Sequence, residues 1–180
     1  RSTQSRSSAA SDVYKRQPKI CATIHLTIGQ TYNSLGATDQ AISHLTRAMA
    51  ICEQLYGRRS AEYLEAYFQL ALVYLSQRQG EKMEAAIRDI FSLYESLPAS
   101  DEEKRAHYTA SLGSALMLQH RYPEAEACYR QAKEVFERLK GLDDYSALAA
   151  TSNLAAAISE PVSYTHLRAH ETPEHLVCRL

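Results

Sequence analysis

The 180-residue chain lacks most of the features that mark a membrane protein or a nucleic-acid-binding protein. Its formal net charge is only −1, too small to recruit nucleic acid or an anionic membrane. No apolar run approaches the roughly 20 residues that a membrane-spanning helix needs. No basic segment followed by an apolar stretch opens the sequence, so no secretory signal is visible. The composition, 45% hydrophobic and 23% charged, is that of an ordinary globular domain.

The cysteines form no recognisable site. They are scattered singly, without a CxxC pair or zinc-ligand spacing, at Cys21, Cys52, Cys128 and Cys178. Single cysteines on apolar helix faces are usually small core residues. The pattern therefore predicts core thiols without disulfides, and with them a reducing compartment such as the cytoplasm.

Both ends of the sequence resemble translated adaptor DNA. Ser7–Gln17 reads SSAASDVYKRQ, which resembles the translation of a transposase adaptor used in sequencing libraries. The reverse complement of adaptor codons for Asp12–Gln17, read in a shifted frame, encodes PVSYTHL, the sequence of Pro161–Leu167. Two unrelated protein ends have no reason to encode inverted copies of one DNA segment.

We therefore expect residues 1–17 and 161–180 to be non-native tails, and residues 18–160 to be the genuine protein, cut at both ends. The second tail contains residues that would otherwise suggest a metal site, namely His166, His170, His175 and Cys178. On this interpretation that cluster has no function, and we predict no metal site. The remaining region has 14 Lys and Arg against 18 Asp and Glu, which argues further against nucleic-acid binding.

The chain repeats itself with a period of 42 residues. A large residue, a small residue and, three positions on, another large residue recur four times in register. The large–small pairs are Ile28–Gly29, Leu70–Ala71, Leu112–Gly113 and Leu154–Ala155. The second large residues are Tyr32, Tyr74, Leu116 and Ile158. Each unit shows two apolar stripes with helical spacing and no alternating strand pattern, which predicts tandem helix pairs. The first stripe of the first unit is Ile24, Ile28, Tyr32 and Leu35.

Glycine and proline agree with helix pairs. Four glycines lie just past apolar stripes, where a left-handed residue often ends a helix, at Gly36, Gly57, Gly80 and Gly141. Pro98 should block continuation of a second helix, and Ser100 has capping-box spacing with Glu103 ahead of the next.

Small residues should allow the two helices of a pair to approach closely. We expect Ala41 to meet Gly29 and Ala125 to meet Gly113. The second unit departs from the pattern, because Met83 replaces this alanine. Its helix pair is therefore predicted either to be splayed or to be shifted by three residues, so that Ala86 takes the place.

These residues resemble the tetratricopeptide repeat family. The first helix carries I/L-G/A-x-x-Y, and the second carries A-x-x-x-L-x-x-A, as in Ala41, Leu45 and Ala48. The 42-residue length resembles the long variant found in kinesin light chains and many bacterial scaffold proteins. The fold implied is an all-α, right-handed α-solenoid of helix-turn-helix hairpins, here three hairpins and a truncated fourth.

The resemblance implies a binding groove lined by the first helices. Residue by residue, the groove positions implied for the first and second units are Leu26, Gln30, Asn33, Glu65, Phe68, Gln69, Leu72 and Leu75. Those implied for the third unit and the start of the fourth are His107, Ser111, Ser114, Met117, Leu118 and Asn153. The apolar members would form an interaction patch, or would instead pack against neighbouring helices.

Catalytic motifs are scarce. No phosphate-cradling glycine loop is present. No carboxylate or cysteine is placed to pair with His107 for nucleophilic chemistry. His25 stands where the family usually has a large aromatic residue, which favours a packing role. We predict no enzyme activity, no catalytic residue and no cofactor.

The function predicted is that of a scaffold which binds a protein or peptide ligand, with neither nucleic acid nor membrane as partner. Two alternatives remain open: a peptide-sensing region of a transcription regulator, or an accessory region of a larger enzyme. The sequence does not specify the oligomeric state.

Overall fold

The computed structural model describes the backbone of residues 3–97 and 101–170, and the side chains of residues 17–97 and 101–159. Almost all of the two predicted tails therefore lies outside the described side chains, including the histidine-rich cluster and Cys178. Pro98 and Ser100, predicted to end one helix and to cap the next, also lie outside the described residues. The non-native origin of the tails stays a prediction.

The described residues form seven α-helices and no strand. The chain divides into two compact units, called unit 1 and unit 2 from here on, each of which is larger than one 42-residue repeat. Unit 1, residues 1–100, contains α1 (Thr3–Ser34), α2 (Thr38–Tyr56), α3 (Ala61–Ser76) and α4 (Gly80–Tyr94). Unit 2, residues 101–180, contains α5 (Glu102–Leu118), α6 (Tyr122–Lys140) and α7 (Tyr145–His170). The predicted all-α organisation in helix pairs is confirmed.

In unit 1, each helix packs against its neighbours in the chain. Helix α2 lies against both α1 and α3, and α3 also packs against α4. A core cluster joins α2 to α3 through Ala41, Leu45, Leu70 and Val73. Burial of such apolar surface stabilises the unit by about 25 cal/mol for each Å² removed from water.

In unit 2, α6 lies against both α5 and α7. One cluster combines Ala106, Ala132 and Phe136 with Ala147 and Ala150 of α7. The other combines Leu116, Ala125, Tyr129 and Ala157. In these two clusters α6 therefore supplies the aromatic side chains, Tyr129 and Phe136, and α7 supplies alanines.

The 42-residue period is visible in the helix starts. Helices α2, α4 and α6 begin at Thr38, Gly80 and Tyr122, which are equivalent positions of the repeat. Met83 is fully buried, as are its equivalents Ala41 and Ala125. Helix α4 therefore keeps the common register, and the predicted three-residue shift is wrong.

The turn inside each hairpin needs one left-handed residue, at the same position of every repeat. Gly36 has φ +75°, Arg78 has φ 55° and His120 has φ 58°. Gly80, predicted to be such a stop, is instead the first residue of α4. The prediction was wrong because it followed residue type, whereas the turn geometry fixes the position even where no glycine is available.

Helices α2 and α6 have 19 residues each, but α4 has only 15 and ends four residues before Pro98. Proline disfavours helical backbone at the residue before it and lacks the N–H that a helix would use. The next helix, α5, is capped by Asp101, whose Oδ1 accepts a hydrogen bond from the Glu103 amide at 2.9 Å. Helix α4 thus ends ahead of Pro98, whose predicted role lies outside the described residues, and the N-cap of α5 is Asp101 rather than Ser100.

Two glycines mark the closest approach between paired helices. A Cβ at Gly29 would lie 2.6 Å from Leu45 Cγ, and one at Gly113 would lie 2.9 Å from Tyr129 Cε1. The expectation that Ala125 meets Gly113 is corrected, because the Tyr129 ring covers that glycine. Three atoms of the Tyr129 ring would lie 2.9, 3.0 and 3.1 Å from a Cβ at position 113, so the ring leaves no room for a side chain there.

Three apolar residues expected to be packed are exposed. Ile24 and Leu35 of the first predicted stripe are 49% and 74% exposed, and Cys21 is exposed as well. Leu35 lies beyond the last residue of α1, in the turn. Ile24 lies on the side of α1 that is equivalent to Ala66 of α3, which is buried. Cys52 is buried as predicted, and the three described cysteines form no disulfide.

Replacing Arg78 by glycine should stabilise unit 1. A left-handed residue with a Cβ costs about 1–2 kcal/mol, and the extra freedom of glycine in the unfolded chain costs about 0.5–1 kcal/mol. We expect Arg78→Gly to raise the free energy of unfolding by about 0.5–1 kcal/mol, measured by urea denaturation. Gly36→Ala, at the equivalent position, should lower it. A lower urea midpoint for Arg78→Gly would contradict the assigned turn.

Gly29→Ala should destabilise unit 1. Overpacking costs about 1–3 kcal/mol, and the better helix propensity of alanine returns about 1 kcal/mol. We expect a net loss of about 1 kcal/mol in urea denaturation. The double variant Gly29→Ala with Leu45→Ala should lose less stability than the sum of the losses of the two single variants, because the clash with Leu45 is then absent. Additive losses would show that the two residues are not in contact.

Candidate functional site

The first candidate surface, named here face 1, is the side of α1 and α3 that carries the predicted groove residues of unit 1. A hydrogen bond links the two helices on this face: Ser76 Oγ lies 2.9 Å from Asn33 Oδ1 and donates to it. The same hydroxyl lies 3.2 Å from the Leu72 carbonyl. Because its oxygen is occupied by Ser76, the Asn33 amide presents its two N–H donors away from this contact.

Apolar side chains of α3 lie beside this bond. Phe68, Leu72 and Leu75 are half-buried, so each has part of its surface against the protein and part in solvent. They follow one another at spacings of four and three residues, which places them in one row along the helix. The row is the largest group of partly exposed apolar side chains among the predicted site residues.

Polar groups border the row. Gln69 Nε2 donates a hydrogen bond to Glu65 Oε1 at 2.9 Å, so the amide holds the carboxylate in a defined position. Gln30 of α1 is half-buried. Leu26 packs against the core cluster that contains Leu45 and Leu70, so it belongs to the margin of face 1 as well as to the core.

The predicted site residues of unit 2 are more closely tied to the hairpin core. The His107 ring packs on Phe136, with centroids 4.7 Å apart, and its Nε2 lies 3.7 Å from Glu103 Oε1. Ser114 Oγ accepts a hydrogen bond from the Tyr129 hydroxyl at 3.0 Å. Met117 packs on the cluster that contains Tyr129. Their side chains therefore make contacts inside the helix pair.

The remaining predicted residues of unit 2 offer small polar groups. Ser111 Oγ donates to the His107 carbonyl at 2.9 Å, within its own helix. Leu118 is half-buried near the end of α5, and Asn153 is exposed on α7. The predicted site residues of unit 2 thus include no apolar row comparable with Phe68, Leu72 and Leu75.

Tyrosines help to join first helices to second helices. The Tyr67 hydroxyl donates a hydrogen bond to Asp89 Oδ2 at 3.1 Å. Burial, followed by the negative charge of Asp89, raises the pKa of Tyr67 to about 12. Burial likewise raises the pKa of Tyr129. Both phenols are neutral at physiological pH and act as hydrogen-bond donors between helices.

A histidine pair joins α1 to α2. His25 Nδ1 lies 2.9 Å from His44 Nδ1, so one ring donates a proton and the other accepts it. Burial, then the nearby His44 and Arg47, lowers the pKa of His25. The ring centroids are 5.0 Å apart, and Tyr32 lies 5.6 Å from His44. His25 therefore packs within an aromatic group, in agreement with the packing role predicted for it.

Neither a metal centre nor a membrane span is found in the part of the chain that the structure describes. Its His, Cys, Asp and Glu residues form no group of three or more that could hold a metal ion. None of its helices combines the length and the apolar character that a lipid bilayer requires.

The fold, with face 1 on its first helices, defines a helical-repeat protein of the kind that serves as an interaction scaffold. Two models of the tetratricopeptide repeat family match the sequence, one over residues 20–88 and the other over residues 105–144, together more than half of the chain. The chain belongs to the tetratricopeptide repeat family. The predicted family and the predicted all-α solenoid class are both confirmed.

Solved structures with the same fold come from a kinesin-light-chain-type protein of Podosopora anserina with nearly identical TPR-like repeats. Its Q17M variant is 18% identical to this chain with a TM-score of 0.67, covering 79% of this chain and 66% of that one. A second structure of the protein is also 18% identical, with a TM-score of 0.66, covering 75% and 64%. This chain thus spans just under two thirds of the length of those structures. A comparison with functionally curated proteins gave no match.

Sequence reasoning missed two features of the site. Ser76 lies one residue past Leu75, the repeat equivalent of Asn33, so alignment of the repeats does not pair Ser76 with Asn33. The contact between His25 and His44 also joins positions that the repeat motif does not relate. In both cases the sequence carries no signal, because the contact depends on how far one helix is displaced along its neighbour.

The stability of unit 1 should fall when the solution is acidified. The folded-state pKa of His25 lies below the ordinary value of 6.5, so the unfolded chain binds the proton more readily. The stability that His25 contributes is therefore complete above pH 6.5 and is lost as the pH falls below it. Urea denaturation between pH 7.5 and pH 5 should show this decline, and it should be smaller in His25→Phe. An equal decline in that variant would contradict the role of His25.

Proposed function

We propose that the protein binds a peptide or helical segment of another protein on face 1. The observation that carries the proposal is the row of Phe68, Leu72 and Leu75, which is half-exposed on a first helix next to the Asn33–Ser76 bond. Apolar side chains of a ligand would be buried on the row, and each fully buried large side chain contributes about 1.5–3 kcal/mol.

Polar groups on face 1 would set the register of the ligand. The free Asn33 amide N–H groups can donate to a ligand backbone carbonyl, and the fixed Glu65 carboxylate can accept from a ligand N–H or pair with a cation. The predicted face-1 residues include an acid and no base. An apolar ligand with neutral or basic flanks should therefore bind more tightly than an acidic one.

The predicted residues of unit 2 have a smaller part in this proposal. Ser111, Leu118 and Asn153 keep partly or fully exposed side chains and can add contacts. His107, Ser114 and Met117 support the helix pair instead. We retain the prediction that the protein is not an enzyme and that neither nucleic acid nor membrane is its partner. We also propose a cytoplasmic location, because cysteines that form no disulfide are typical of proteins in a reducing compartment.

Two broader roles are compatible with ligand binding on face 1. The repeats can form the sensing region of a transcription regulator, or an accessory region of a larger enzyme. In either role the same face would hold the peptide, and the difference would lie in the attached domain. We prefer the scaffold function, since the described residues contain only helices of the repeat and no part of a DNA-binding or catalytic domain.

A test of the proposal is to select ligands from a displayed random peptide library with the full chain, and to measure their affinity for variants. Phe68→Ala should weaken binding by about tenfold or more, as expected for a residue at the centre of an interface. The helical circular dichroism should be unchanged, because Phe68 is only half-buried.

Leu35→Ser is the matched control, since Leu35 is an exposed leucine in the turn after α1 and is not one of the predicted groove residues. It should bind the selected peptides like the unaltered chain. Equal binding by Phe68→Ala and Leu72→Ala would refute face 1 as the site. A marked loss of helicity in Phe68→Ala would refute it as well, because that residue would then be part of the core.

A further inference from the structure

The polar groups of face 1 that hydrogen bonds hold in place lie at the two ends of its apolar row. Glu65 is in the second turn of α3, and Ser76 is the last residue of that helix. Gln69 orients the Glu65 carboxylate at one end, and Ser76 holds the Asn33 amide at the other. The distance along α3 from Glu65 to Ser76 is about 16 Å, since each helical residue adds about 1.5 Å.

The spacing of the apolar row matches that of another helix. Phe68, Leu72 and Leu75 follow one another at distances of about 6 and 4.5 Å along the helix axis. A helical ligand repeats this spacing in its own apolar positions, so it can place three side chains on the row. Side chains on one face of an extended strand are about 6.7 Å apart, so a strand places only two over the same length. A helix therefore buries more apolar surface on face 1.

The backbone of the ligand leads to the same conclusion. Between Gln69 and Ser76 the side of α3 that belongs to face 1 carries only Leu72 and Leu75, since the other intervening residues pack in the core. An extended peptide would bury N–H and C=O groups against these leucines, and Gln30 of α1 offers it only a single amide. A helix satisfies its own backbone, except for the N–H groups of its first turn and the C=O groups of its last.

The two ends of face 1 offer opposite partners to such a helix. The Glu65 carboxylate is negative and accepts hydrogen bonds, which suits the N–H groups at a helix N-terminus. The Asn33 amide directs its N–H donors away from Ser76, which suits the carbonyl groups at a helix C-terminus. These partners define a direction, with the first turn of the ligand at Glu65 and its last turn at Asn33.

We propose that face 1 binds an amphipathic α-helix of another protein, about eleven residues long, with its N-terminus at Glu65 and its C-terminus at Asn33. Its apolar residues lie at one position and at the positions four and seven residues later. This inference rests on the proposed function, and it adds the conformation, length and direction of the ligand.

A second copy of the chain is the less suitable occupant. The shortest helix among the described residues is α4, with 15 residues, which is longer than the distance between Glu65 and Asn33 allows. None of these helices therefore places its first turn at one end of face 1 and its last turn at the other.

The experiment uses the full chain and a fluorescent, stapled helical peptide of about eleven residues, with three leucines at the spacing given above. Its control has the same composition and a central proline, which prevents a helix. In fluorescence anisotropy the stapled peptide should bind about tenfold more tightly than the control. Leu72→Ala should weaken its binding by a similar factor, and Leu35→Ser should have no effect. Equal or tighter binding of the proline peptide would overturn the proposal.

Two conservative variants test the ends of the site. Asn33→Asp keeps an oxygen for the Ser76 hydroxyl but loses the N–H donors, and Glu65→Gln keeps an oxygen for Gln69 but loses the charge. Each should weaken binding of the stapled peptide by about threefold to tenfold, with an unchanged urea midpoint. Binding unaltered by both substitutions would contradict the assigned ends.

A nitroxide on the stapled peptide measures its direction. At the peptide N-terminus, the label should broaden the NMR signals of residues near Glu65 more than those of residues near Ser76. At the C-terminus, the order should be reversed. Equal broadening at both ends, or the opposite order, would refute the direction.

The inference and the proposed function can fail separately. If Phe68→Ala weakens the selected library peptides but the stapled peptide does not bind, face 1 stands and the helical ligand is refuted. If Phe68→Ala and Leu72→Ala leave every peptide unaffected, both proposals fall. Sedimentation tests the second copy: monomeric behaviour supports a separate protein as partner, and self-association abolished by Phe68→Ala would overturn it.

Discussion

The structure depends on the short distance between the two helices of each pair. At one crossing point in two of the pairs, α1 with α2 and α5 with α6, a glycine lies under a bulky residue of the partner helix. Gly29 lies under Leu45, and Gly113 lies under the Tyr129 ring. An added methyl group at either glycine would come within 3.0 Å of its neighbour. This contact fixes the register of the pair, and every larger residue along the stripe is then placed by helical spacing.

Binding surfaces follow from the same packing. Helix α3 has one side against α2 and another against α4, so a third side is left for solvent. On α3 that third side carries Phe68, Leu72 and Leu75.

The turns show how strictly the repeat is maintained. Arg78 and His120 adopt a left-handed backbone that glycine provides more easily at Gly36. Their conformation is tolerated because packing on both sides of the turn determines where the chain must reverse. Helix α4, just before the boundary between the two compact units, is four residues shorter than α2 and α6.

The sequence by itself determined the helix pairs, their 42-residue period and the family, because side-chain size at fixed spacing is a local property that survives in the linear order. It also indicated the first-helix positions that carry Phe68 and Leu72. Only the tertiary structure decided that Ser114 and Met117 serve the core, that Ser76 bonds Asn33 and that His25 meets His44. Such contacts depend on the displacement and rotation of one helix against another. Shifts of an ångström or two change hydrogen-bond partners without altering the apolar pattern, so the residue order carries no trace of them.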